Sequence, residues 1–551
     1  MRTEDQINSI IKRLQSLESH RAPWEAMWQD CTDYVNPRRG DFKAKQARGS
    51  STRFDKVFDS TAPLANEQLA SGLHGHLTNT AERWFSLRVP GIEPSDSISR
   101  WLQSTVDAMF ERTFNVASSN FITSVHEMYL DIGSYGTGVF FTEDRPGKSV
   151  GFRSFHLADC YAMENHEGVI DTLYRKYKHT ARQLMELYAP ILPEKFKDIA
   201  TKNPFQEFTC IHAVEPRSSI NYDKKDKSSM PWKSCYVLVE EKLMLKEGGY
   251  QEFPYMVPRW SKTSGEVYGR SPSMTCMPDI KMVNEMMKTT IRAAQKATDP
   301  PLMVPDDGFM MPLRTIPGGL NYYRSGTADK IEPLIGGERP DIGLDFIESR
   351  REHITKSFHV DWMSLAEGPQ MTATEVLQRQ EDKMRLMGPM VGRLQSEFLG
   401  PLIERVFAVM NRRGELPQPP SDVEGVDLQI DYVSPVARAQ KSTLVFNFAR
   451  FLEQMGPLTQ MKPEVFDNID ADATFRWAHK TLDAPMETLI DAEKVKENRQ
   501  AQQEAMQKQQ QAETAQQAAG TMKDMSQAAK NVGQEELVGD AIAAQSQPPV
   551  E

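Results

Sequence analysis

The chain has 551 residues, of which 39% are hydrophobic and 26% charged, with a formal net charge of −11. That length sets a prior of three or four domains with ample apolar content for large cores, and the acidic balance argues against tight, sequence-independent nucleic-acid binding as the main task, since such binding draws on excess Lys and Arg. Five dispersed cysteines (Cys31, Cys160, Cys210, Cys235, Cys276) without a Cys-x-x-Cys pair indicate neither a disulfide framework nor a thiolate zinc site, and no window nears about 18 uninterrupted apolar residues, so neither a membrane span nor a classical export signal is expected.

In chain order, Thr3-x-x-Gln6 caps an amphipathic helix with Ile7, Ile10, Ile11, Leu14 and Leu17 on one face. A second helix carries Trp24, Met27, Trp28, Cys31 and Tyr34, and the two read as an α-hairpin. Asn36 to Lys56 is polar and basic (Arg38, Arg39, Lys43, Lys45, Arg48, Arg53), a candidate phosphate-contacting loop. It has no aromatic ladder, which favours a solvated or intersubunit loop.

Ala62 to Leu77 is helical, Arg83 to Val89 alternates as a strand, and Ile98 to Phe114 and Phe121 to Ile132 are amphipathic helices. From Gly138 to Trp260 the pattern is mostly β: Val139–Thr142, Val150–Phe155, Val169–Tyr177, Phe208–Val214, Cys235–Val239 and Tyr250–Val257, with one helix at Ala181–Tyr188. An α+β body therefore ends near Arg270.

The most informative stretch is Ser271 to Arg413. Ser271-Pro272 starts a helix that stops before Asp299-Pro300-Pro301. Ile280, Val283, Met286, Met287, Ile291 and Ala294 share one side; Lys281, Glu285, Lys288, Arg292 and Lys296 share a mostly basic arc opposite. Leu302 to Gly343 is a small β-rich excursion punctuated by Asp306-Asp307-Gly308, Pro317-Gly318-Gly319 and Gly336-Gly337. Leu344 to Met363 is helical again, so two neighbouring helices carry a small module at their far end: a stalk and a tip.

A short linker, Ser364 to Met371, precedes the capping box Thr372-x-x-Glu375 and a helix to Arg413, roughly 60 Å long and kinked at Gly388-Pro389 and Gly400-Pro401. Pro417 to Pro420 is a stiff linker and Leu428 to Tyr432 a short strand. Ser434-Pro435 opens further helices running to about Ile490. Beyond Lys494 no aromatic residue occurs, and the Gln/Ala/Lys/Glu-rich tail is expected to be mobile, with transient helix.

No motif recommends catalysis. Gly147-Lys148-Ser149 lacks the earlier glycine of a phosphate loop, since Thr142 stands there, and reads as a hairpin turn. His126-Glu127 and His166-Glu167 start like zinc-protease helices, but Leu130 and Ile170 occupy the second histidine position. Asp467, Asp470 and Asp472 lack the glycine and glutamate of a calcium loop and read as helix capping. Tyr135-Gly136-Thr137-Gly138 is a turn into the next strand. No cofactor or metal site is expected.

The order of parts is more specific than any motif: α+β body, helix, β-rich tip, helix, short loop, long kinked helix, helical cap. It resembles the portal protein, or head-to-tail connector, of short-tailed bacteriophages from Thr3 to about Ile490. Local strings add to the likeness: Arg83-Trp84-Phe85, Tyr135-Gly136-Thr137-Gly138, Pro300-Pro301-Leu302, Thr372-Ala373-Thr374-Glu375-Val376 and Arg393-Leu394-Gln395-x-Glu397-Phe398. The resemblance implies a predominantly helical α+β fold, with a wing at residues 1–270, stem helices at 271–298 and 344–363, and a clip at 299–343 between them. A tunnel loop at 364–371 (Glu367, Gly368, Pro369, Gln370, Met371), a long wing helix with linker at 372–433, a crown at 434–493 and a tail at 494–551 would follow.

It further implies a non-enzymatic ring, typically a dodecamer, at one capsid vertex. A separate terminase drives double-stranded DNA through it; capsid, scaffolding and tail adaptor proteins are partners; assembly is in the host cytoplasm and no membrane is involved. Stem helices about 10 Å apart leave a bore of about 28 Å for a ring of about 12, wide enough for duplex DNA, whereas about nine would close to roughly 19 Å. Lys281, Lys288, Arg292 and Lys296 are then candidate channel-lining residues, an outer or intersubunit stripe being the alternative. Another virion ring such as a tail adaptor, or a DNA-processing enzyme, are the competing readings.

Overall fold

The computed structural model describes residues 3–42, 56–79, 82–91, 95–115, 117–145, 147–220, 226, 229–299, 302–303, 332–333, 340–363, 387–423, 425–426, 428–432, 444–455, 469–482, 484, 488–490 and 492–543. The expected tunnel loop, the capping box at Thr372, most of the clip, Lys43 to Asp55 and Asp467 lie outside them.

The helices are α1 (Thr3–Tyr34), α2 (Thr61–Leu77), α3 (Asp96–Met109), α4 (Phe121–Tyr135), α5 (Ala181–Tyr188), α6 (Lys195–Lys202), α7 (Pro272–Thr298), α8 (Pro340–Ser357) and α9 (Val360–Met363). They continue as α10 (387–394), α11 (Gly400–Arg412), α12 (444–455), α13 (Ala471–Thr481) and α14 (Ala492–Ala543). The strands are β1 (Phe85–Arg88), β2 (Phe140–Glu143), β3 (Gly151–Ser154), β4 (Cys160–Glu164), β5 (Ile170–Thr180) and β6 (Glu207–Pro216). Then come β7 (Trp232–Leu238), β8 (Leu243–Tyr250), β9 (Tyr255–Met256), β10 (Leu302–Met303), β11 (Glu332–Pro333) and β12 (Gln429–Tyr432). Helix predominates, as expected of the α+β class.

The chain divides into two compact units, residues 1–88, 104–417 and 428–455 forming the first. Its scaffold is an antiparallel meander in the order β4-β5-β6-β7-β8. Alternation along the strands sends Tyr174, Ile211, Ala213, Cys235 and Val237 to one face, where Ile7, Ile10, Leu14 and Leu17 of α1 cover them. Cys210, Leu238 and Leu245 face the other way, against Ala181 and Leu184 of α5 and Phe196 of α6. A smaller sheet, β3-β2-β9, lies under α4, and Trp84, Phe110, Phe114, Phe121 and Phe152 form an aromatic cluster beside it. β1 pairs with β12, Phe85 opposite Tyr432, joining segments far apart in sequence.

Several expectations are corrected. The N-terminal α-hairpin is one 32-residue helix running through Pro23. Proline removes one helical hydrogen bond. Buried Arg21 spans the weak point, its guanidinium donating to the carbonyls of Leu157 (3.0 Å), Ala158 (2.8 Å) and Cys160 (2.9 Å) and to Glu25 (2.8 Å). Strands β4 and β8 and helix α6 were not anticipated: β4 carries no β-branched residue and β8 contains Gly248 and Gly249.

The helix expected over Leu344 to Met363 starts at Pro340 and breaks at His359, whose φ is +57°, because Phe358 is drawn fully into the core. Where Gly400-Pro401 was expected to kink the long helix, Gln395–Leu399 forms a π-turn, which absorbs the missing N–H of Pro401.

The second unit comprises residues 89–103, 418–427 and 456–551. Asp470 caps α13, accepting from the amides of Asp472 and Ala473, both at 3.0 Å. Arg476 pairs with Asp96 and donates to the Ile490 carbonyl at 2.9 Å. Much of the Gln/Ala/Lys/Glu-rich tail falls in a 52-residue helix, α14, with nearly all its described side chains exposed. Ala, Gln, Glu, Lys and Met favour helix without any core.

Candidate functional site

α7 is positioned by backbone chemistry at its start. Ser271 caps it, accepting from the Met274 amide at 3.0 Å and donating to the Ser134 carbonyl at 2.9 Å; Ser273 donates to the Gly133 carbonyl at 2.6 Å. The string Tyr135-Gly136-Thr137-Gly138 makes this possible. Gly136 is the left-handed C-cap of α4 (φ +75°), and a Cβ there would lie 2.5 Å from the backbone of Gly269 and Arg270. Thr137 Oγ1 accepts from the Gly269 amide at 2.8 Å.

A buried charge network sits beside this joint. Arg259, 3% exposed at its side chain, donates from Nη2 to Glu397 Oε1 (2.7 Å), from Nε and its own amide to Glu397 Oε2 (3.1 and 2.9 Å), and pairs with Glu164. Lys262 also reaches Glu164 at 2.5 Å, and Arg393 reaches Glu397 at 3.3 Å. The two glutamates therefore give Arg259 counter-charges on both sides, without which its buried guanidinium would be costly. The string containing Glu397 serves packing twice over, since Leu394 and Phe398 are both fully buried, Phe398 edge-on to Phe140 at 5.2 Å. No motif signal could have paired Arg259 with a residue 138 positions away.

α7 and α8 pack as an antiparallel pair. Asp279 near the start of α7 accepts from His353 Nδ1 (2.8 Å) and Arg350 (3.5 Å) near the end of α8. Arg351 makes two bonds to Asp59 Oδ2 (2.9 and 2.7 Å), and Asn284 clasps segment 56–58 through the Phe58 amide (2.7 Å) and the Lys56 carbonyl (2.9 Å). Burial pushes the Asp59 carboxyl up, but the hydrogen bonds from Thr61 and Arg351 outweigh it and hold it below the usual range. At the far end, β10 pairs antiparallel with β11, Leu302 opposite Pro333, so the chain leaves α7 and returns to α8 through a two-stranded neck.

The packed side of α7 is buried at its base (Ile280, Val283) and uncovered further along, where Ile291 is 39% exposed. Of the four basic candidates, Lys281 is bound to Asp30 at 2.7 Å and Lys288 to Glu285 at 3.0 Å. Arg292 and Lys296 are exposed, with no ion pair among the described residues. In the basic loop, Arg39 grips Asp131 (2.8 and 2.9 Å), Lys56 meets Asp33 (3.2 Å) and Arg38 meets Glu67 (3.5 Å). Burial pushes the Asp131 carboxyl up to about 6, with Arg39 pulling it back.

The remaining motifs have structural roles. Gly147 (φ +77°) turns between β2 and β3; His166 and Glu167 sit in the exposed β4–β5 turn. Among the described residues no group of His, Cys, Asp and Glu could hold a metal ion, and no helix is long and apolar enough to cross a membrane.

Comparison with known proteins identifies relatives over nearly the whole chain. The profile of a family described as "Bacteriophage head to tail connecting protein" matches residues 8–490. The "Probable portal protein" of Bordetella phage BPP-1 is 31% identical over 491 residues, covering 86% of each chain. The "Portal protein" of Salmonella phage epsilon15 is 28% identical over 525 residues, covering 91% of this chain and 94% of its own.

Proposed function

Since the chain belongs to the bacteriophage head to tail connecting protein family, a structural and non-enzymatic component of the virion's head-tail junction, we propose that it works as a portal subunit in a closed ring around a DNA channel. The observation that carries the reading is the α7–α8 pair: clamped at its base by Ser271, Asp59 and Asp279, joined at its far end by the β10–β11 neck, and leaving Ile291, Arg292 and Lys296 uncovered. Side chains left open along a rigid rod are what ring neighbours and a channel would use.

In this reading α7 and α8 are the stem, the excursion between them the clip, residues 364–371 the tunnel loop, and 434–493 the crown. About twelve copies associate head to tail, and a separate terminase drives double-stranded DNA through the bore. The ring joins capsid and scaffolding proteins on one side and tail adaptors on the other, and forms in the host cytoplasm. Lys281, Lys288, Arg292 and Lys296 line the channel; the first two being neutralised by Asp30 and Glu285, Arg292 and Lys296 dominate its field. A mostly neutral or acidic wall with few basic rings suits passage, because a wall that held phosphates tightly would stall it. Electron microscopy of the purified protein tests this: a flanged, open-centred ring supports it, and a compact monomer overturns it.

A further inference from the structure

The face of the large sheet turned away from α1 is only partly covered. α5 and α6 shield one half and β2 with β9 the other, and between them lies a cleft of about 1570 Å³. On its floor Arg175 lies between two rings, its guanidinium carbon 3.7 Å from the centre of Phe155 and 4.4 Å from that of Tyr177. The stacking holds the guanidinium in place, yet its side chain has no hydrogen-bond or ion-pair partner among the described residues, and its Nε is buried. A guanidinium is costly to hold half-buried without an anion.

We propose that the cleft receives an acidic, amphipathic segment of a partner protein, one carboxylate docking on Arg175 and a neighbouring apolar side chain on the lip made by Leu187 and Ile191. The lip is exposed, Leu187 at 59% and Ile191 at 49%. A carboxylate would take the free N–H edge of the guanidinium while the rings hold its faces. The charge balance favours a single carboxylate over a phosphodiester strand. Lys176 is already paired with Glu18 (2.7 Å), Lys178 with Glu207 (2.6 Å) and Arg153 with Glu143 (3.3 Å), so that of these cleft cations only Lys246 joins Arg175 without an ion pair among the described residues, and a polyanion needs several free cations in a row.

The test is selection of a random peptide library on the full-length protein, followed by titration of an enriched peptide against wild type and variants. Enriched sequences should place Asp or Glu beside Leu, Ile or Phe; Arg175→Gln should weaken binding by about tenfold or more, with Arg175→Lys between the two. Leu187→Ser, at an exposed position where folding is not at stake, should also weaken binding. Peptides without acidic residues, equal binding by the Arg175 and Leu187 variants, or displacement of the peptide by single-stranded oligodeoxythymidylate at comparable concentration would overturn the proposal.

Discussion

Arg259 and Glu397 join the β-rich body to the π-turn between α10 and α11 through three hydrogen bonds of 2.7 to 3.1 Å, in a setting where Arg259 is almost wholly removed from water. Both the turn that launches α7 and the π-turn before Gly400-Pro401 are built around this contact.

Glu397→Gln should therefore destabilise the protein by about 2–4 kcal/mol, since it leaves Arg259 and Arg393 facing a neutral amide in a buried site. Arg259→Met should cost a similar amount, and the double variant less than the sum of the two. Denaturant unfolding of the four proteins checks this; additive losses would show that the pair acts independently.

Gly136 and Gly147 have nearly the same φ, +75° and +77°, but different surroundings. Gly147→Ala, with nothing within 4 Å of a new Cβ, should cost about 1 kcal/mol for the left-handed backbone alone. Gly136→Ala meets the Gly269–Arg270 backbone as well and should cost about 3 kcal/mol or more, and should loosen the base of α7. Thermal unfolding and hydrogen exchange at α7 separate the two.

His212 is fully buried, with Tyr255 Oη at 2.7 Å and Ser234 Oγ at 3.0 Å; burial, then the charges of Arg175 and Lys246, lower its pKa to about 3. The folded pKa is thus depressed below the unfolded value of about 6.5, so the unfolded state takes up the proton first. This contribution to stability is whole above pH about 6.5 and is lost, by about 1.4 kcal/mol per pH unit, as pH falls towards 3. His212→Gln should reduce proton uptake on unfolding by about one between those limits, and an unchanged pH dependence would refute the assignment.

Two local signals in the sequence correspond to elements of the fold. Ser271-Pro272 and Asp299 bound α7 as read, and the helix Ala181–Tyr188 lies where its pattern places it, with a capping box at Thr180 that only the structure reveals. What was missed depends on contacts between distant segments. Pro23 reads as a break until the carbonyls of Leu157, Ala158 and Cys160 come round to Arg21. The clasp of Asn284 on segment 56–58, and Asp59 on Arg351, leave no pattern in either segment alone. Among the channel candidates, helical spacing puts Lys281 and Arg292 on one face, but could not foresee that Asp30 of α1 neutralises the first.

That difference predicts unequal effects of charge reversal. Arg292→Glu with Lys296→Glu should leave rings intact and shorten the packaged DNA. Lys281→Glu should instead oppose Asp30 and lower stability, by about 1 kcal/mol at this half-exposed site. Packaged DNA length in particles, read beside thermal unfolding of the purified protein, distinguishes them; unchanged packaging by the double reversal would remove these residues from the channel.

The most direct measurement of the central claim is the rotational symmetry and bore of the assembled protein by electron microscopy. A ring of about twelve subunits is predicted, with paired α7–α8 rods around an opening of about 28 Å, wider than a DNA duplex. A monomer with the rods packed against its own body, or a ring whose bore is below about 20 Å, would contradict it.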